Sequence, residues 1–180
     1  MPKAIEIKSL LQNQALVFVG VAAAVFVLLA LWETRAWALA FGLPSNDAAS
    51  RLAFVARWLL LPAACLLVGV GMVANRRFLS ADAMEGTRTP TSNSLEINLR
   101  YNQNTLEQLA LAAVAWLNLG LTLQRDQISI IPVLAITFTV GRALFWIGYL
   151  FAPWARAFGF GLTFYPTAVA YVWFAFSALR

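Results

Sequence analysis

The sequence has no histidine and a single cysteine. The first absence removes imidazole general-base chemistry and histidine metal ligation. The second removes any intrachain disulfide and any thiolate cluster. Cys65 lies within the apolar run Trp58 to Ala74 and reads as a small buried hydrophobe, not a reactive thiol. Charge is also scarce, at 12% of residues, and only eight of these are acidic and scattered, so a metal centre built from carboxylates is not expected. Soluble domains run at about 25% charged and about 45–50% apolar. Here 61% of 180 residues are hydrophobic and the mean hydropathy is +0.73. A chain this short has too little interior to hide that surface from water. An ordinary soluble domain, a disordered chain and a nucleic-acid binder are therefore excluded. The net charge of +5 fits the basic loops of a membrane protein.

Five runs nearly free of charge organise the chain. They are Ala15 to Trp32 (with a softer tail, Ala36 to Leu43), Trp58 to Ala74 (preceded by Leu52 to Ala56), Thr105 to Gln124, Ile128 to Ala152, and Ala157 to Leu179. Each approaches or exceeds the roughly 17–25 residues that cross a hydrocarbon core. Lipid offers no water to unpaired backbone groups, and the runs lack strand alternation, so all five are predicted to be helices. The first follows Lys3 and Lys8, yet is longer than a signal-peptide core and reads as an uncleaved span. Connections are short except for Arg76 to Leu99, a polar stretch expected to be the most mobile part. Gln124 to Gln127 and Ala152 to Arg156 read as tight turns, with Pro153 marking a helix break. With the N-terminus in the cytoplasm, seven Lys and Arg lie inside and five outside, a weak bias toward that orientation. Trp32, Trp58, Trp154 and Trp173 are expected at helix ends as an interfacial belt, and Asn118 as a hydrogen-bonding link to a neighbouring helix.

Ionisable residues inside spans are costly and point to function. Two stand out, Glu107 and Arg142. Arg100, Asn104 and Glu107 follow the i, i+4, i+7 pattern and share one helix face, as do Arg142 and Tyr149. Arg142 lies about ten residues, roughly 15 Å, from the last turn and can snorkel toward Glu107. Pairing the two would offset part of their desolvation. One reading has this pair only lock two helices together. The functional reading is a polar pocket rimmed by Arg76, Arg77, Arg100 and Arg156, suited to a small ligand with carboxylates and flanked by apolar surface for a lipophilic co-substrate.

Arg100-Tyr-Asn-Gln-Asn-Thr-Leu-Glu-Gln108 resembles the second-helix signature of the MAPEG family, the membrane-associated proteins in eicosanoid and glutathione metabolism. Gly141-Arg-Ala-Leu-Phe-Trp-Ile-Gly-Tyr149, followed by Arg156-Ala-Phe-Gly-Phe-Gly161, resembles its third-helix and third-loop signature. The resemblance spans about residues 58–179. It implies an all-α integral membrane bundle: a four-helix domain over 46–180, with residues 1–45 adding one N-terminal transmembrane helix. It further implies a homotrimer with sites between subunits near the cytoplasmic face, in contact with membrane lipids, and glutathione as co-substrate. A bacterial inner membrane is the expected location. On the same basis Arg100, Asn104 and Glu107 match glutathione-pocket positions, Arg142 and Tyr149 match polar third-helix positions, and Arg76 or Arg77 stands for the basic residue closing the first family helix. Arg156 matches the arginine that stabilises the glutathione thiolate. Gln103, Phe145, Ala157 and Phe160 differ from residues carried by other branches, which argues against prostaglandin E synthase activity.

The first functional reading is a membrane glutathione transferase or peroxidase acting on lipophilic electrophiles. The second is a non-catalytic lipid-binding or scaffold protein of the same fold, whose extra helix could dock a partner. A small transporter or channel subunit is a third, resting on Glu107 and Arg142 alone.

Overall fold

A short stretch from Gly42 leads into the second long helix, and Asp47 closes it. Its carboxylate accepts the Ser50 backbone N–H at 2.8 Å and the Ser45 hydroxyl at 2.6 Å. These bonds, that from Ser45 first, hold the Asp47 carboxyl well below the usual carboxylate range. They also satisfy a donor that a helix N-terminus would otherwise leave bare.

The computed structural model describes residues 2–79, 93–152 and 154–178. They form α1 (Pro2–Glu33), a 3₁₀ segment (Arg35–Phe41), α2 (Ala48–Phe78), α3 (Asn93–Thr122), a 3₁₀ turn (Gln127–Ser129), α4 (Ile130–Phe151) and α5 (Ala157–Ala178), with no strand among the described residues. The five predicted helices are present, and three outrun their apolar segments. α2 starts ten residues before Trp58, which therefore sits inside the helix and not at its end. α1 and α3 likewise extend into polar sequence, because helical backbone bonding continues past the hydrophobic boundary. The expected mobile loop, Arg76 to Leu99, is shorter than its polar composition implies: Arg76 to Phe78 continue α2 and Asn93 to Leu99 open α3. Residues 80–92 and Pro153 lie outside the described residues.

Leu10–Glu33, Ala48–Phe78 and Gln127–Phe151 are apolar and long enough to cross a membrane. α3 and α5 do not reach that mark on composition. α3 carries Arg, Asn, Gln and Glu in its first half, and α5 carries Gly, Thr, Tyr and Pro.

α2 packs on α3, α4 on α5, α1 on α5 and α2 on α4. The core joins Val55, Trp116, Leu119, Ile128, Ile131 and Phe138, with the Trp116 and Phe138 rings edge to face at 6.1 Å. Arg51, near the start of α2, donates to the carbonyls of Leu121 (3.3 Å) and Leu123 (2.5 Å) and so caps the C-terminal end of α3. The turn after it is tight, as expected: Gln127 and Ile128 both donate backbone N–H groups to the Gln124 carbonyl. Tyr171 ties α5 to α3 through the Leu111 carbonyl, at 3.2 Å. Hydroxyls in apolar surroundings are satisfied locally, as with Thr105 to Tyr101 and Thr139 to Ala135, each donating one turn back. Asn118 behaves the same way. It is exposed, and its amide donates to Val114 of its own helix at 2.8 Å, so it does not link neighbouring helices.

Candidate functional site

Arg100, Gln103, Asn104 and Glu107 follow the i, i+3, i+4, i+7 spacing that aligns side chains on one face of α3. That face lines a cleft of about 600 Å³. Phe145 and Tyr149 of α4 form the opposite side, and Arg156 enters from the α4–α5 turn. Ala157, Phe160 and Tyr165 of α5 and Val17 and Val21 of α1 complete the lining.

The turn aims Arg156. Ala155 donates its N–H to Ala152 and Ala157 donates to Trp154, so the backbone on either side is tied down. The guanidinium lies 4.6 Å from the centre of the Tyr149 ring, a cation–π contact that leaves its fork of N–H donors available. Gly148 makes this approach possible: a Cβ there would stand 2.6 Å from the Ala155 carbonyl oxygen and 2.9 Å from Arg156 N. On α3, Arg100 pairs with Glu96 at 2.6 Å and Gln103 donates to Glu107 at 2.8 Å.

Of the residues singled out from the sequence, Arg100, Asn104, Glu107, Tyr149 and Arg156 meet in this cleft. Arg76 and Arg77 do not line it and stand in the last turn of α2, where cations complement the negative helix end. Arg142 lies behind the cleft wall with no exposed surface. It makes no ion pair with Glu107, contrary to expectation. Its Nη1 donates to Asn104 Oδ1 at 2.8 Å, and its guanidinium stacks 4.1 Å from the Phe145 ring centre and 5.8 Å from that of Tyr101. Glu107 is exposed and bonded to Gln103 instead. The depth of each side chain decides this: Asn104, one turn before Glu107, is the polar group that α3 turns toward α4. With its oxygen used by Arg142, the Asn104 amide keeps two N–H donors for a ligand.

Arg142 thus carries a buried charge with one hydrogen bond, and its Nε and Nη2 have no partner among the described residues. Methionine fills much the same volume without the desolvation cost. Arg142→Met is therefore expected to change stability by less than about 1.5 kcal/mol, whereas Arg142→Ala loses about 3 kcal/mol through the void it leaves. Thermal unfolding in detergent distinguishes the two. Equal losses would show that the bond to Asn104, not packing, is what Arg142 contributes. Glu107→Gln should leave the midpoint unchanged.

Val17, Val21 and Tyr165 were not singled out, because apolar or aromatic residues in an apolar helix carry no distinguishing signal. The positions that differ from other branches, Gln103, Phe145, Ala157 and Phe160, all line the cleft.

The MAPEG family model matches residues 52–176, most of the chain, and the protein belongs to the MAPEG family. The match takes in α2 to α5 and leaves α1 outside it. With three helices apolar enough to span a bilayer, this makes the chain an integral membrane helical bundle of a glutathione-related family. No curated protein and no solved structure shows significant similarity to it.

Proposed function

We propose that the protein is a membrane glutathione transferase or peroxidase acting on lipophilic electrophiles, with the polar cleft as its glutathione site. The observation that carries this is the convergence of Arg100, Asn104, Glu107, Tyr149 and Arg156 from two helices and a turn onto one cleft. A tripeptide with two carboxylates, an amine and a thiol needs such a set. Guanidinium groups fork onto carboxylates, and Arg100 and Arg156 stand at different points of the lining. Glu107 suits the amine, and the Asn104 amide can donate to a carbonyl or carboxylate.

The chemistry follows from charge. A free thiol with pKa near 8.5 is mostly protonated at neutral pH, and a guanidinium beside it favours the thiolate. With Arg156 in that role the proton leaves to solvent. The sulfur lone pair then attacks an electrophilic carbon, an S–C bond forms and the leaving group departs. Phe145, Phe160, Val17 and Val21 provide an apolar flank for the lipophilic partner. The site is read as facing the cytoplasm in a homotrimer, with the N-terminus on that side, and the cell membrane of a bacterium as its location.

Isothermal titration of the purified chain in detergent with glutathione, together with chlorodinitrobenzene turnover, tests the proposal. Saturable binding and release of chloride with S-aryl product are expected. Heat-silent titration with no product would overturn it and favour the scaffold reading.

A further inference from the structure

A second cleft, also about 600 Å³, opens beside the C-terminal part of α1. Its walls are apolar: Leu28 and Trp32 of α1, Leu134 of α4, and Val169 and Trp173 of α5. Its floor is Tyr165, the residue that also bounds the polar cleft. From Trp173 to Tyr165 is eight residues of helix, roughly 12 Å. That is close to half of the roughly 30 Å hydrocarbon core. Pro166 lies beside the floor, where its missing N–H leaves the Leu162 carbonyl without a helical donor.

The mouth is where the apolar lining ends. Arg35 stands there, just beyond the end of α1, with one nitrogen held by the Trp32 carbonyl at 2.6 Å and its guanidinium 4.3 Å from the Trp32 ring centre. Among the described residues no carboxylate pairs with it. Gln127, from the α3–α4 turn, lies at the same end. Its side-chain oxygen accepts from Gln124 N–H, so its two amide N–H donors remain for a ligand. A cation and an amide at the level of the helix ends, above an apolar slot about one leaflet deep, complement an anionic headgroup and its tail.

We propose that this cleft binds a membrane phospholipid with a singly anionic headgroup, the phosphate held by Arg35 and Gln127 and one acyl chain lying between α1 and α5 with its end at Tyr165. The site depends on α1 and on Arg35, both outside the family match. It is independent of the thiol chemistry of the polar cleft.

The full chain is reconstituted in phosphatidylcholine vesicles containing a minor fraction of either brominated phosphatidylglycerol or brominated phosphatidylcholine. Bromine quenches nearby tryptophan, and Trp32 and Trp173 line the cleft. Saturable extra quenching by phosphatidylglycerol is expected. Arg35→Gln should weaken the apparent affinity about tenfold, the loss of one charge-assisted contact. Val169→Phe should abolish the saturable part by filling the slot; Val169 is 67% exposed, so the larger ring leaves the core packing alone. Arg57→Gln, an exposed arginine near the same end of the bundle and outside the lining, should change nothing. Equal quenching by the two lipids would overturn the proposal, as would an Arg57→Gln loss matching that of Arg35→Gln. So would saturation by brominated stearate alone, which would make the occupant a free fatty acid. Unchanged thermal unfolding of each variant shows that the loss is one of binding.

Discussion

Arg156→Ala is expected to cut glutathione turnover by about a hundredfold, the usual consequence of removing one well-aimed donor from a developing or stabilised anion. KM for glutathione should move much less, because Arg100, Asn104 and Glu107 still line the cleft. The pH profile should separate this role from a structural one. On the proposed role of Arg156, the thiol should ionise below its free value near 8.5, and the rate should rise with pH and level off early. Without the guanidinium the plateau should move to higher pH, and activity lost at neutral pH should be partly regained in alkali. Arg156→Lys keeps the charge but loses the fork, and should fall between the two. Ultraviolet absorbance of the bound thiolate gives the same ordering without turnover. An unshifted pH profile for Arg156→Ala would remove this residue from the thiolate's surroundings. Gly148→Ala offers an indirect version of the experiment: its methyl group would collide with the Ala155 carbonyl and shift the turn that carries Arg156.

A stability loss as large as that of Arg142→Ala is expected at Gly159. α4 and α5 approach so closely there that a Cβ on Gly159 would overlap the Phe145 backbone nitrogen and stand 2.5 Å from the Gly141 carbonyl oxygen. Backbone cannot rotate aside as a flexible side chain can, so the helices must separate along their length. Gly159→Ala should cost about 3 kcal/mol, at the upper end of overpacking effects. Gly71 provides the contrast. It is an exposed helical glycine of α2 with nothing within 4 Å of its would-be Cβ. Gly71→Ala should stabilise by about 0.5–1 kcal/mol, by lowering the freedom of the unfolded chain. Thermal midpoints of the two variants in one detergent give the comparison. A tolerated Gly159→Ala would mean that α4 and α5 are not held at the spacing described.

Much of this molecule was legible because lipid simplifies the problem. A run of apolar residues has one backbone solution, so the five helices and both tight turns could be read directly. Within a helix, spacing also fixes which residues share a face, and Arg100, Asn104 and Glu107 do line the cleft together. Spacing does not fix how far one helix is rotated or shifted against the next. That is why the Arg142–Glu107 pair was expected where Asn104 is in fact the partner of Arg142. The same blindness hid the outward turn of Asn118 and the wall built by Val17 and Val21. From Ala15 to Trp32 of α1 nearly every residue is apolar, so no periodicity marks the side that meets α5.

Arg51 adds a constraint on the order of assembly. The carbonyls it caps, those of Leu121 and Leu123, emerge about seventy residues later during synthesis. Until those residues are made, Arg51 lacks both of these acceptors. The α3–α4 turn becomes a finished unit only when α2 and α3 meet. A nascent chain stalled before Leu123 has been made should remain open at this end, and should present Arg51 to whatever escorts it into the bilayer.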